Sequence, residues 1–218
     1  MVKHETEYDV SDATRSDPEK RGSLETQLAN PADEIAYTAH DLDDGLRSKL
    51  LIPSQLEHLA WWQALKESIN WNGTRFNDMI RYRMVRRLIG LLVRDQVEAT
   101  AKRLKEADAQ SPDDVRNLPE NVVGHSEEVA KMTRELKRFL YENLYRHPHV
   151  MRMQTKAERV IEALFEAYME EPMQMPLAEQ RKFEERSQER VICDYIAGMT
   201  DRFTLEEYAK LFDPSVPV

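Results

Sequence analysis

The sequence predicts an all-α protein, and three observations carry that expectation. Apolar residues recur at three-, four- and seven-residue steps, no segment alternates convincingly with period two, and only six glycines interrupt 218 residues. Hydrophobic residues make up 41% and charged residues 33%, a mixture that suits long amphipathic helices with enough apolar content for a core. Sheet-rich folds demand more turn glycines and more β-branched runs.

Residues 1–22 are polar, charged and aperiodic, so a flexible arm or extended loop is expected there. From Ser23 onward, Leu24, Leu28, Ile35, Leu42 and Leu46 mark a helix, within which Pro31 should cause a kink or open a new first turn. Pro53-Ser54 opens a second helix carrying Leu56, Leu59, Trp62 and Leu65. Thr74 to about Ala107 reads as the longest helix, and "DAQSPDDVRNLPEN", 108–121, as a loop. Helices follow at about 125–146 and 149–170, then a break at "EEPMQMP" and a long helix over Leu177–Met199. Thr204 and Glu207 offer a capping box for a short final helix.

The net charge of −9 argues against broad nucleic-acid wrapping, although a local basic stripe still suits phosphates. A single cysteine, Cys193, excludes an intramolecular disulfide framework and fits a reducing compartment. Its position beside Val191 and Ile196 predicts a buried, inert thiol. No stretch approaches the roughly 20 apolar residues of a membrane span, and the N-terminus has no apolar signal core. The expected setting is the cytoplasm, with no membrane partner. Trp61, Trp62 and Trp71 read as packing residues, and His147-Pro148-His149 as a turn rather than a metal pair.

The most unusual stretch is "PADEIAYTAHDLDDGL", residues 31–46. On a helix each residue turns about 100°, so Asp33, Tyr37 and Asp41 form one stripe, with His40 and Asp44 beside it. Ile35 and Leu42 point elsewhere, toward a core. Such a face suits plain solvation. Several aspartates in mid-helix, where their propensity is mediocre, also suit a metal or sugar site. His40-Asp41 alone cannot complete a transition-metal site, which takes three or more protein ligands.

"ADEIAYTAHDLDDGL" resembles the signature that the deoxyguanosinetriphosphate triphosphohydrolase-like family carries downstream of its catalytic His and His-Asp motifs. "SLETQLANPADEIAY", "FLYENLYRHPHV" and "VICDYIAGMTDRFTLEEYAKLF" are similar to further stretches of that family, in the same order along the chain. The resemblance implies the C-terminal part of a multi-helix HD-superfamily bundle. Residues 23–107 would complete the HD-type catalytic core, 108–122 would be a loop, and 123–218 the helical phosphohydrolase-associated region. It also implies that Asp33 is a ligand of a divalent metal, magnesium or manganese. Tyr37 and Asp41, four and eight positions later, would face the deoxyribose. His40-Asp41 would not be the family's metal dyad, whose counterpart lies upstream of the matched motifs.

Two departures stand out: Pro31 replaces a usual aliphatic residue, and Glu34 follows Asp33 where some relatives have a phosphate-facing lysine. "DMIRYRMVRRLIGLLVRDQ" places several arginines on one helix, and the guanidinium fork suits triphosphate oxygens. By resemblance Arg83 is the arginine that reaches the nucleotide, although a solvated, carboxylate-paired face serves equally for each arginine. The implied activity of the complete enzyme is metal-dependent hydrolysis of a dNTP to deoxynucleoside and tripolyphosphate. This chain alone is expected to be inactive, since no catalytic residue and one metal ligand are assigned to it. It would work with an upstream HD-containing chain or segment, as a homo-oligomer, with nucleic acid an unlikely partner. The alternative is a non-enzymatic helical module for oligomerisation or regulation.

Overall fold

A computed structural model describes residues 20–217, so the expected N-terminal arm lies almost wholly outside the described residues. Among the described residues every regular element is helical and none is a strand. The chain divides into two compact units, Met1–His147 and Pro148–Val218. No described helix is long and apolar enough to cross a membrane.

In the first unit, α1 spans Leu24–Arg47, with Ser23 as N-cap accepting from the Thr26 N–H. Pro31 sits inside this helix without ending it, at the loss of one backbone donor. Ile35, Ala39, Leu42 and Leu46 are buried, as the periodicity requires. The single helix expected after Pro53 is two: α2, Pro53–Leu56, and α3, Ala60–Ser68. The break follows from Glu57, whose carboxylate turns to accept from Trp62 Nε1 (3.2 Å) and Lys66 Nζ (2.6 Å), while Leu59 goes extended and stays buried.

Helix α4, Asp78–Glu106, starts later than expected, because Asn77 caps it by accepting from the Ile80 N–H at 3.0 Å. The residues before it form a turn in which Asn72 Oδ1 accepts from the Thr74 N–H at 3.1 Å. The expected loop at 108–121 contains one short helix, α5, Pro112–Arg116. Its N-terminus is satisfied reciprocally: Asp114 N–H donates to Ser111 Oγ at 3.2 Å, and Ser111 N–H to Asp114 Oδ2 at 2.8 Å. Helix α6, Glu127–Leu140, runs into a π-helical turn over Tyr141–Tyr145. The core joins α1, α3, α4 and α6. The tryptophans serve packing: all three are buried, and Trp61 Nε1 donates to Thr133 Oγ1 at 3.2 Å, tying α3 to α6.

In the second unit, α7 spans Pro148–Glu170, and a 3-10 turn, Pro172–Gln174, fills the predicted break. The long helix expected over Leu177–Met199 is interrupted: α8, Leu177–Gln180, passes through a 3-10 turn, Arg181–Glu184, before α9, Gln188–Ala197. Gln180 turns back to donate to the Met175 carbonyl (2.7 Å), and Ser187 accepts from the Arg190 N–H to start α9 afresh. The final helix, α10, Asp201–Phe212, is capped by Thr200 rather than Thr204. Thr204 lies inside the helix, donating to the Thr200 carbonyl at 3.0 Å, and Glu207 accepts from Lys210 Nζ at 2.8 Å.

Cys193 is exposed, against the expectation of burial. Val191 and Ile192 fill the core, and on a helix Cys193 then points about 150° from the direction between them.

Candidate functional site

The acidic stretch forms the middle of α1, and its polar side faces α6 and the π turn. Glu34, Tyr37 and Asp41 stand at i, i+3 and i+7, one face of a helix. Opposite them Lys137 of α6 donates to Glu34 Oε1 at 3.1 Å, with its Nζ 5.6 Å from the centre of the Tyr37 ring. Tyr145 donates its hydroxyl to Asp41 Oδ2, and Tyr141 packs edge-on against Tyr145 at 6.4 Å between centroids.

The π turn explains how Lys137 and Tyr145 reach the same face. Eight residues of regular α-helix overshoot two full turns by about 80°, which would swing Tyr145 aside. A wider turn holds more residues and cancels much of that drift. Leu144 then stays buried while Tyr145 meets Asp41.

Charges on this face are arranged rather than neutralised. Burial works against the Lys137 ammonium, but hydrogen bonds to Tyr37 and Glu34 more than offset it, and its pKa lies above the ordinary lysine value. Burial and then the Asp41 carboxylate raise the Tyr145 phenol, which therefore keeps its proton and acts as a donor. The Lys137–Glu34 pair leaves each side chain 37% exposed, so it contributes at most about 1 kcal/mol to stability. A half-open cluster of a cation, two phenols and carboxylates can hold an anionic, hydroxyl-bearing molecule.

The structure brings Tyr37 and Asp41 into this cluster. Asp33 lies one turn before Tyr37, exposed on the surface of α1. Among the described residues no group of three or more His, Cys, Asp or Glu side chains is gathered to hold a metal. The residues present fit a divalent metal in part only: Asp33 offers one carboxylate, and the adjacent Glu34 is engaged by Lys137. His40 and Asp41 go separate ways, since His40 borders an apolar groove between α1 and α4 while Asp41 pairs with Tyr145. Arg83 is held elsewhere, donating to the Ile69 carbonyl at 2.9 Å.

Sequence reasoning missed Lys137, Tyr145 and the Asp43–Arg81 pair. Arg81 is 2% exposed and donates to Asp43 of α1 and, at 3.3 Å, to Asp78. It anchors the acidic helix to α4. Arg83, two residues on, turns about 200° away from that contact. Neither the π turn nor the pairing of Arg81 with Asp43 has a local sequence signal. The i, i+4, i+8 spacing of Lys137, Tyr141 and Tyr145 was open to inspection.

Comparison with known proteins follows this geometry. Residues 123–210 match the phosphohydrolase-associated domain. The chain is 40% identical, over 217 residues, to a deoxyguanosinetriphosphate triphosphohydrolase-like protein of Geobacter sulfurreducens, covering 98% of this chain and 56% of that protein. A protein of the same description from Nitrosomonas europaea is 43% identical over 194 residues, covering 87% of this chain and 50% of the relative. One from Ralstonia nicotianae is 44% identical over 192 residues, covering 87% and 49%. The chain thus spans about half the length of the curated relatives it matches. By these matches the chain is similar to the C-terminal part of deoxyguanosinetriphosphate triphosphohydrolase-like proteins, the part that contains the phosphohydrolase-associated domain.

Proposed function

We propose that the face formed by Tyr37, Asp41, Lys137 and Tyr145 is the sugar-binding part of a dNTP triphosphohydrolase site. The observation that carries this reading is the pairing of Tyr145 with Asp41 beside the Lys137–Tyr37 contact, which groups donors and acceptors from distant parts of the chain on one half-open face. Asp41 and the two phenols suit sugar hydroxyls, and Lys137 adds a positive charge. Arg83 would share the triphosphate charge through guanidinium nitrogens not given to Ile69.

In this reading Asp33 supplies one ligand to a divalent metal, magnesium or manganese, whose other ligands come from the part of the family protein that this chain does not span. A metal bound there would supply an activated water for attack on phosphorus. The chain's own residues orient the nucleotide: Tyr145 keeps its proton and fixes Asp41, while Lys137 fixes Glu34 and Tyr37. The working protein is a homo-oligomer in the cytoplasm.

The experiment is a dGTP turnover assay on the purified chain with Mg²⁺ or Mn²⁺, reading deoxyguanosine and tripolyphosphate. The expected result is no turnover, because one carboxylate is too few ligands. Robust turnover that Asp33→Ala abolishes would show the chain to be an enzyme by itself.

A further inference from the structure

On the side of α1 away from the polar cluster, Leu24, Leu28, Ala32, Ala36 and His40 follow one another at steps of four. Ile89, Val93, Val97 and Ala101 do the same on α4. Two such ridges side by side bound a groove of about 730 Å³, almost entirely apolar, running along about 24 Å of α1. Leu28, Val93 and Val97 are 48%, 46% and 63% exposed. Gln96 lies in the groove, 4% exposed, and its Oε1 has no hydrogen-bond partner among the described residues. A buried acceptor without a donor costs free energy until something supplies one.

We infer that this groove seats an amphipathic helix from the part of the family protein that this chain does not span, carrying one hydrogen-bond donor for Gln96. The inference rests on the family reading above and adds to it the surface on which the two parts join. Parallel i+4 ridges are the geometry into which a third helix packs its own ridge. The curated relatives are nearly twice as long as the matched span, and that additional length needs an apolar surface to cover. Two copies of this chain suit the groove less well, because a twofold contact sets a concave surface against itself. The position matters chemically. Ala32 and Ala36 flank Asp33 in sequence, so a helix seated on them brings its side chains beside the proposed metal carboxylate.

The test co-expresses this chain with the segment of the Geobacter sulfurreducens relative that lies outside the match. Mass by light scattering should give equal numbers of the two chains, and amide exchange should slow at 24–40 and 89–104 on association. Val93→Glu with Val97→Glu, both at exposed positions, should abolish association while the circular dichroism of the chain is unchanged. Ala36→Arg on the facing ridge should do the same independently. No complex, or a complex indifferent to both variants, would overturn the proposal. So would exchange at both ridges that is no slower in the complex than in the chain alone, or self-association of the chain alone that both variants abolish. A complex that forms through the groove and hydrolyses no dGTP supports the docking and defeats the functional reading.

Discussion

At the scale of single residues, the most consequential contact is one the sequence conceals. Arg81 looks like one more cation in an arginine-rich helix, yet it is buried and bound to Asp43, thirty-eight positions away. Asp43→Ala leaves the buried Arg81 only its 3.3 Å contacts with the exposed Asp78, so it should lower unfolding free energy by about 3 kcal/mol in a denaturant titration. Lys137 and Tyr145 give a second prediction, in pH. Both have folded pKa values above their unfolded ones, so their contribution is complete below about pH 10 and lost as pH rises through the folded values. Stability against denaturant should therefore fall above pH 10, and Tyr145→Phe should remove one late-ionising tyrosine from an absorbance titration. The stripe of Asp33, Tyr37 and Asp41 was legible because helical spacing alone sets it. Its partners were not, because pairing between residues more than a hundred positions apart leaves no local pattern.

At the scale of elements, periodicity placed most helices, while boundaries went to side chains that compete with the backbone. Glu57 splits α2 from α3, Asn77 delays α4, and Ser187 restarts α9. Each residue type is an ordinary cap or turn former, and the choice among several candidates depends on what folds against it. Thr200 and Thr204 illustrate this: both suit a cap, and only the first is one. Cys193 was misplaced because two neighbouring apolar residues were read without the angle between them. Gly45 of α1 is a site where an element meets its neighbours directly. A Cβ there would lie 2.5 Å from Leu51 Cδ1 and 2.9 Å from its Cγ, against a side chain that is 1% exposed. Gly45→Ala should therefore destabilise the first unit by about 1–2 kcal/mol despite the better helix propensity of alanine, as thermal melting would record.

At the scale of the whole molecule, the two units differ in how much they bury. Among the described residues, the first gathers twenty buried apolar residues into one cluster, the second six. Fewer buried contacts mean cheaper local opening, so hydrogen exchange should be slowest in α1, α3 and α4 and faster throughout α9 and α10. The match to the phosphohydrolase-associated domain begins at residue 123, before the division at His147, so it includes α6 and the π turn of the first unit. Those two elements supply Lys137 and Tyr145 to the face of α1, which makes the candidate site a joint product of the acidic helix and the start of that domain. The central claim is that Asp33, not the neighbouring His40-Asp41 dyad, is this chain's metal ligand. Its most direct test is dGTP turnover with Mn²⁺ by the chain complexed with the remaining part of the Geobacter sulfurreducens relative, comparing Asp33→Ala with His40→Ala. The account predicts that Asp33→Ala lowers turnover by more than about a hundredfold while His40→Ala retains metal-dependent hydrolysis. Undiminished turnover in Asp33→Ala, with loss in His40→Ala, would contradict it.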